Sequence, residues 1–193
     1  MLTSVWLALL GLLAGEVGAA RRRTTGVEPW WAWPASMAGC LALCAHMLLA
    51  MASRHQWSHQ AALLDTARQT ADVYGVAWGG GLYVNYAFAG LWVAWLVFWK
   101  ASPDRFWDRP GWQLWSARAF VFVIVLNAAV VFAAPQRRLA GAAVTLALPA
   151  AWWLGSIGKT PRRDQAGDPA PAASPRHGRG SSSSATSDRR SRT

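Results

Sequence analysis

The stretch WSARAFVFVIVLNAAVVFAA, Trp115 to Ala134, is followed by Pro135-Gln136-Arg137-Arg138 and then by LAGAAVTLALPAAWWLGSI, Leu139 to Ile157. A helix that crosses a bilayer needs roughly 20 mostly apolar residues, since the hydrocarbon core is about 30 Å thick and each residue rises about 1.5 Å. Two such runs joined by so short a connector predict an antiparallel pair of transmembrane helices. Pro149 is expected to kink the second without preventing a span, because neighbouring helices can satisfy the backbone groups it frees.

Working outward, three more windows have the same character, at about 2–20, 33–53 and 76–99. The first carries Glu16 near its end and is closed by Arg21-Arg22-Arg23. A secretion signal carries positive charge ahead of its apolar region, whereas here the arginines follow it, so a retained first helix is expected. The fold class predicted is all-α: a polytopic transmembrane bundle of about five helices over residues 1–158, with an amphipathic interfacial helix and a disordered tail. Composition agrees, since 53% of the chain is hydrophobic and its 14 tryptophans far exceed the usage of soluble domains.

The net charge of +10 reads as topology, because Lys and Arg gather between and after the apolar runs. With the N-terminus outside, the cytoplasmic loops hold Arg21, Arg22, Arg23, Lys100, Arg105 and Arg109, and the tail adds Lys159, Arg162 and Arg163. The outer loops keep Arg54, Arg68, Arg137 and Arg138. N-terminus outside and C-terminus cytoplasmic is therefore expected, with tryptophans such as Trp30, Trp99, Trp112 and Trp152 anchoring the inner interface. Residues 159–193 are rich in Pro, Ala, Ser, Gly and Arg and hold too little apolar surface to offset ordering entropy. This disordered basic tail suits anionic lipid headgroups. Without interleaved aromatic residues to stack bases, nucleic acid is not an expected partner.

Chemistry, if any, is expected on the outer side. Residues 56–74 predict an amphipathic helix lying on the membrane surface, with Leu63, Leu64, Ala67, Ala71 and Tyr74 on one face and Asp65, Gln69 and Asp72 largely on the other. Trp78-Gly79-Gly80-Gly81-Leu82-Tyr83-Val84-Asn85-Tyr86 follows. Glycine costs up to about 1 kcal/mol against alanine in a helix. Close helix packing is the leading reason for three in a row, ahead of backbone approach to a ligand. His46, Asp65, Asp72, Tyr83, Asn85 and Tyr86 form an expected outer polar cluster, in which His46 and Asn85 lie at comparable depth.

Two patterns address metals. His55 and His59 are four apart, which on one continuous helix would place both imidazoles on one face, as zinc ligation can use. Met37, Cys40, Cys44, Met47 and Met51 follow at spacings of three, four, three and four, a sulfur stripe within about 80° on one helix face that could suit copper(I). Met47 and Met51 resemble the Met-x-x-x-Met element of copper-transporter channels, but the helix count differs and a Met-rich extracellular segment is lacking. A polar interfacial face and adaptable apolar filler are the plainer readings of these two sets. No cofactor is predicted; copper and zinc are the metals these patterns allow. Cys40 and Cys44, one turn apart, are poorly placed for a mutual disulfide.

The run Thr66-Ala67-Arg68-Gln69-Thr70-Ala71 followed by Trp78 to Tyr86 resembles a block in small, uncharacterised multi-spanning bacterial membrane proteins of planctomycete type. The resemblance covers roughly 56–99 and implies membrane context without chemistry. No Ser-His-Asp arrangement, phosphate loop or Cys-x-x-Cys is present, which disfavours an enzyme. The leading expectation is an integral protein of the bacterial inner membrane with a structural or interaction role, meeting a second copy or another membrane protein through small-residue faces. The alternatives are a small transporter or metal-handling protein, and an intramembrane enzyme or redox subunit using the outer histidines.

Overall fold

The computed structural model describes residues 2–157, so the tail assigned to 159–193 lies outside the described residues. The elements are α1 (Leu2–Thr25), α2 (Ala32–Ser53), α3 (His59–Tyr74), α4 (Gly81–Ala101), α5 (Pro103–Trp107), α6 (Gly111–Leu126), a π-helical segment (Asn127–Val131) and α7 (Pro135–Ile157), with no strand among the described residues. Five of the helices, α1, α2, α4, α6 continued by its π segment, and α7, are long and apolar enough to cross a membrane. This is a multi-pass membrane protein. Its spans alternate direction, so α1, α4 and α7 finish at the end bearing Arg21 to Arg23, here the arginine end, and the opposite end bears His55 and His59.

Several boundaries shift from the sequence expectation for local reasons. Arg21, Arg22 and Arg23 do not close α1 but form its last turns, where cations meet the negative end of the helix dipole. Gly26, at φ 76°, ends the helix with its N–H on the Arg22 carbonyl. Helix α7 starts at Pro135, not after the arginine pair, because proline's fixed φ and missing N–H suit the first helical position. Helix α4 starts at Gly81 rather than at residue 76; a left-handed Gly75 closes α3, and the Thr70 hydroxyl, donating to the Trp78 carbonyl at 3.0 Å, pins the loop between them.

The first span is the hub, packing most extensively on α2 and next on α7. Small residues make the α1–α2 seam. A Cβ on Gly11 would lie 2.5 Å from the Gly39 Cα, and one on Gly15 would lie 2.8 Å from the Ser36 hydroxyl oxygen. In a bilayer, where lipid tails are as apolar as leucine, such backbone approach supplies the packing that holds helices together. Because Gly15 leaves room for Ser36, the Ser36 hydroxyl is free to accept from the Trp92 indole at 3.1 Å, which fixes α4 against the α1–α2 pair. The buried core continues through Leu12, Phe88, Trp92, Leu96, Val125 and Leu148.

The connection between α2 and α4 also departs from a continuous helix. Gln56 and Trp57 adopt positive φ, 48° and 61°, and Ser58 caps α3 by accepting from the Ala61 N–H, so α3 begins at His59. Its packed face runs through Ala62 and Thr70, both buried, rather than through Leu64 and Tyr74, which are exposed. The triple glycine abuts this face. A Cβ on Gly79 would stand 2.8 Å from the Leu63 carbonyl oxygen, and one on Gly81 would stand 3.1 Å from the Thr66 methyl.

Candidate functional site

The sequence-nominated residues disperse over several places. His55 and His59 do not share a helical face, because the 54–58 turn separates them. His55 Nε2 lies 4.0 Å from an Asp65 carboxylate oxygen, whereas His59 sits 3.4 Å from the Tyr83 hydroxyl and stacks on Tyr86. Asp65 also accepts from Gln69, and Asp72 stays exposed at the far end of α3. Among the described residues no three His, Cys, Asp or Glu side chains come together. The sulfur stripe divides too: Met37 and Cys40 line an apolar groove between α2 and α4, while Met47 faces a different cavity. Cys40 and Cys44 are both free thiols.

His46 and Asn85 do line one cavity, of about 160 Å³, bounded by α1, α2, α4 and α6. His46 Nδ1 lies 3.1 Å from the Ser4 hydroxyl across the α1–α2 seam. Leu12, Phe88 and Trp92 belong to both this cavity and a second one nearer the arginine end. The second cavity is where the unusual chemistry lies.

That cavity, of about 40 Å³, gathers Glu16 and Arg23 from α1, Arg109 from the α5–α6 turn and Arg118 from α6. Three guanidinium groups against one carboxylate leave a formal surplus of 3 − 1 = +2. Arg118 is 3% exposed and lies within an otherwise apolar span. Its Nη2 is 3.4 Å from Glu16 Oε2, an oxygen that also accepts from the Trp152 indole at 2.7 Å. The arginine planes are flanked by aromatic rings, Arg118 by Trp115 and Trp152 at 5.5 and 5.3 Å, and Arg109 by Trp95 and Phe106 at 3.9 and 4.0 Å. Such cation–π contacts contribute about 0.5–2 kcal/mol each and hold a guanidinium by its face, leaving its edge for hydrogen bonding.

The edges are where this cavity differs from a closed ion-pair network. The Nε groups of Arg109 and Arg118 and the indole N–H of Trp99 are buried donors without a hydrogen-bond partner, and all three residues line the cavity. Each such donor costs about 1–3 kcal/mol, more when charged. Burial, and after it the neighbouring Arg23, pushes Arg109 down to about 10, well below the ordinary guanidinium range, with Glu16 opposing and Arg118 adding to the shift. A group with acceptor oxygens and negative charge would satisfy the donors and relieve the crowding of like charge together.

Sequence reading overlooked this site. Glu16 and Arg118 were visible as ionisable residues inside apolar windows, and an intramembrane charge is by default a functional candidate. Two tryptophans assigned to anchoring are internal, Trp99 and Trp152 being no more than 5% exposed. No family model, curated protein or solved structure matches the chain.

Proposed function

We propose that this chain is a binding protein of the bacterial inner membrane, N-terminus outside and C-terminus cytoplasmic, whose arginine-lined cavity takes an acidic group presented at the cytoplasmic face. The observation that carries the reading is the presence of three unpartnered buried donors, on Arg109, Arg118 and Trp99, among the residues that line a cavity with a surplus of positive charge. Donors without matching acceptors suit an oxyanion, a phosphate or carboxylate, rather than a metal ion or a neutral polar molecule. The orientation is supported by the gathering of Lys and Arg at the end that holds this cavity. In this arrangement α3 lies on the outer surface as an amphipathic helix, a reading supported by its exposed Leu64, Val73 and Tyr74.

The test is thermal unfolding of detergent-solubilised protein titrated with sulfate, against chloride at matched ionic strength. A ligand that binds only the folded state raises stability as RT ln(1 + [L]/Kd). Sulfate is expected to give a saturable upward shift in the native protein and a much smaller one in Arg109→Gln. Equal shifts from sulfate and chloride in the native protein would overturn the reading.

A further inference from the structure

The lining of the arginine cavity is chemically mixed. Beside its charged groups, Glu16, Arg23, Arg109 and Arg118, it holds the apolar side chains of Leu91 and Trp95 of α4 and of Leu114, Ala117 and Val121 of α6. Few residues of α4 and α6 approach one another closely, which leaves a seam between the two helices, and Leu91 of the lining is 36% exposed. At about 40 Å³ the enclosed space holds only about three waters, at 10–15 Å³ of such volume each, which suffices for one small charged group but not for hydrocarbon chains.

We infer that the ligand is an anionic phospholipid, which docks from within the membrane with its phosphodiester among Arg109, Arg118 and Trp99 and its acyl chains along the α4–α6 seam. This rests on the reading of the cavity as an acidic-group site and adds the substrate class and the direction of approach. Charge complementarity selects the headgroup, since basic pockets between transmembrane helices at the cytoplasmic side suit anionic lipids. The apolar part of the lining selects an amphiphile over a soluble phosphate, because a fully soluble anion would gain nothing from Leu91, Leu114 and Val121.

The experiment is native mass spectrometry of the full chain released from nanodiscs containing equal parts of phosphatidylglycerol and phosphatidylcholine, run beside calorimetric titration with sulfate and with glycerol phosphate. Expected are retained phosphatidylglycerol adducts in at least about tenfold excess over phosphatidylcholine, a preference that falls several-fold in Arg109→Gln and in Ala117→Trp, which narrows the seam. Binding of sulfate or glycerol phosphate with no preference between the two lipids would overturn the lipid inference and leave the acidic-group reading standing. Binding of neither soluble anion nor phosphatidylglycerol would overturn both. A phosphatidylglycerol preference unchanged in both variants, with each folded by circular dichroism, would place the lipid at the outer surface of the bundle and overturn the inference.

Discussion

Arg118 Nη2 lies 3.4 Å from Glu16 Oε2, although 102 residues separate them, and the Trp152 indole donates to the same oxygen at 2.7 Å. One carboxylate thus joins α1, α6 and α7. Removing one member of a buried pair leaves an uncompensated charge and typically costs about 3–5 kcal/mol, whereas replacing both by apolar groups of similar volume is often nearly neutral. Arg118→Met and Glu16→Leu are each expected to destabilise by that amount in denaturant titrations in detergent, and the two changes together by less than the sum of the two single changes. Strict additivity would show that the pair is not coupled.

Trp152 can be separated from the pair. Phenylalanine keeps the ring that flanks Arg118 and removes the donor to Glu16, and a hydrogen bond to a charged group contributes about 1.5–3 kcal/mol. Trp152→Phe is expected to lower stability within that range, measured in the same titrations. An unchanged midpoint would mean that the 2.7 Å contact adds nothing.

Glycine positions give a packing test with an internal control. A Cβ on Gly141 would fall 1.8 Å from the Ala129 carbonyl oxygen, in the π segment of α6, while one on Gly90 would meet nothing within 4 Å. Gly141→Ala is expected to force α6 and α7 apart and cost at least about 1–3 kcal/mol. Gly90→Ala is expected to be neutral or to stabilise α4 by up to about 1 kcal/mol. Unfolding midpoints check both, and a reversed order would contradict the packing described.

The pH dependence centres on Arg109, pushed down to about 10 by burial and by Arg23. Because its folded value lies below the ordinary guanidinium range, the charged form is costly in the fold. That cost is fully present below about pH 10 and is relieved as pH climbs above about 10, where the unfolded chain binds the proton more often. Anion binding runs the opposite way, since it needs the charge. Sulfate affinity is expected to be flat between about pH 7 and pH 9 and to fall above about pH 10, with the fall absent in Arg109→Gln. Calorimetry across that range gives the answer, and an equal fall in the variant would exclude Arg109 as its source.

The membrane class was legible in the sequence because bilayer thickness dictates a minimum apolar length, and the five windows meet it whatever their packing. Local chemistry then moved the ends, at Gly26, Gly75 and Pro135. The histidine pair misled because four-residue spacing means a shared face only within one helix, and positive φ at Gln56 and Trp57 breaks it. His46 and Asn85 border one cavity. The arginine cavity was harder to see, since Arg118 and Glu16 lie on distant segments and become a site only when α6 and α7 close around α1.

Entry of an oxyanion into that cavity decides between a binding site and a purely structural cluster. Soaking crystals of the protein in selenate and locating selenium by anomalous scattering tests this directly. The expected result is a peak within hydrogen-bonding distance of Arg118 Nε and the Trp99 indole N–H, lost when Arg109 is replaced by glutamine. Peaks confined to exposed arginines such as Arg21 and Arg105, with none among Glu16, Arg109 and Arg118, would contradict it.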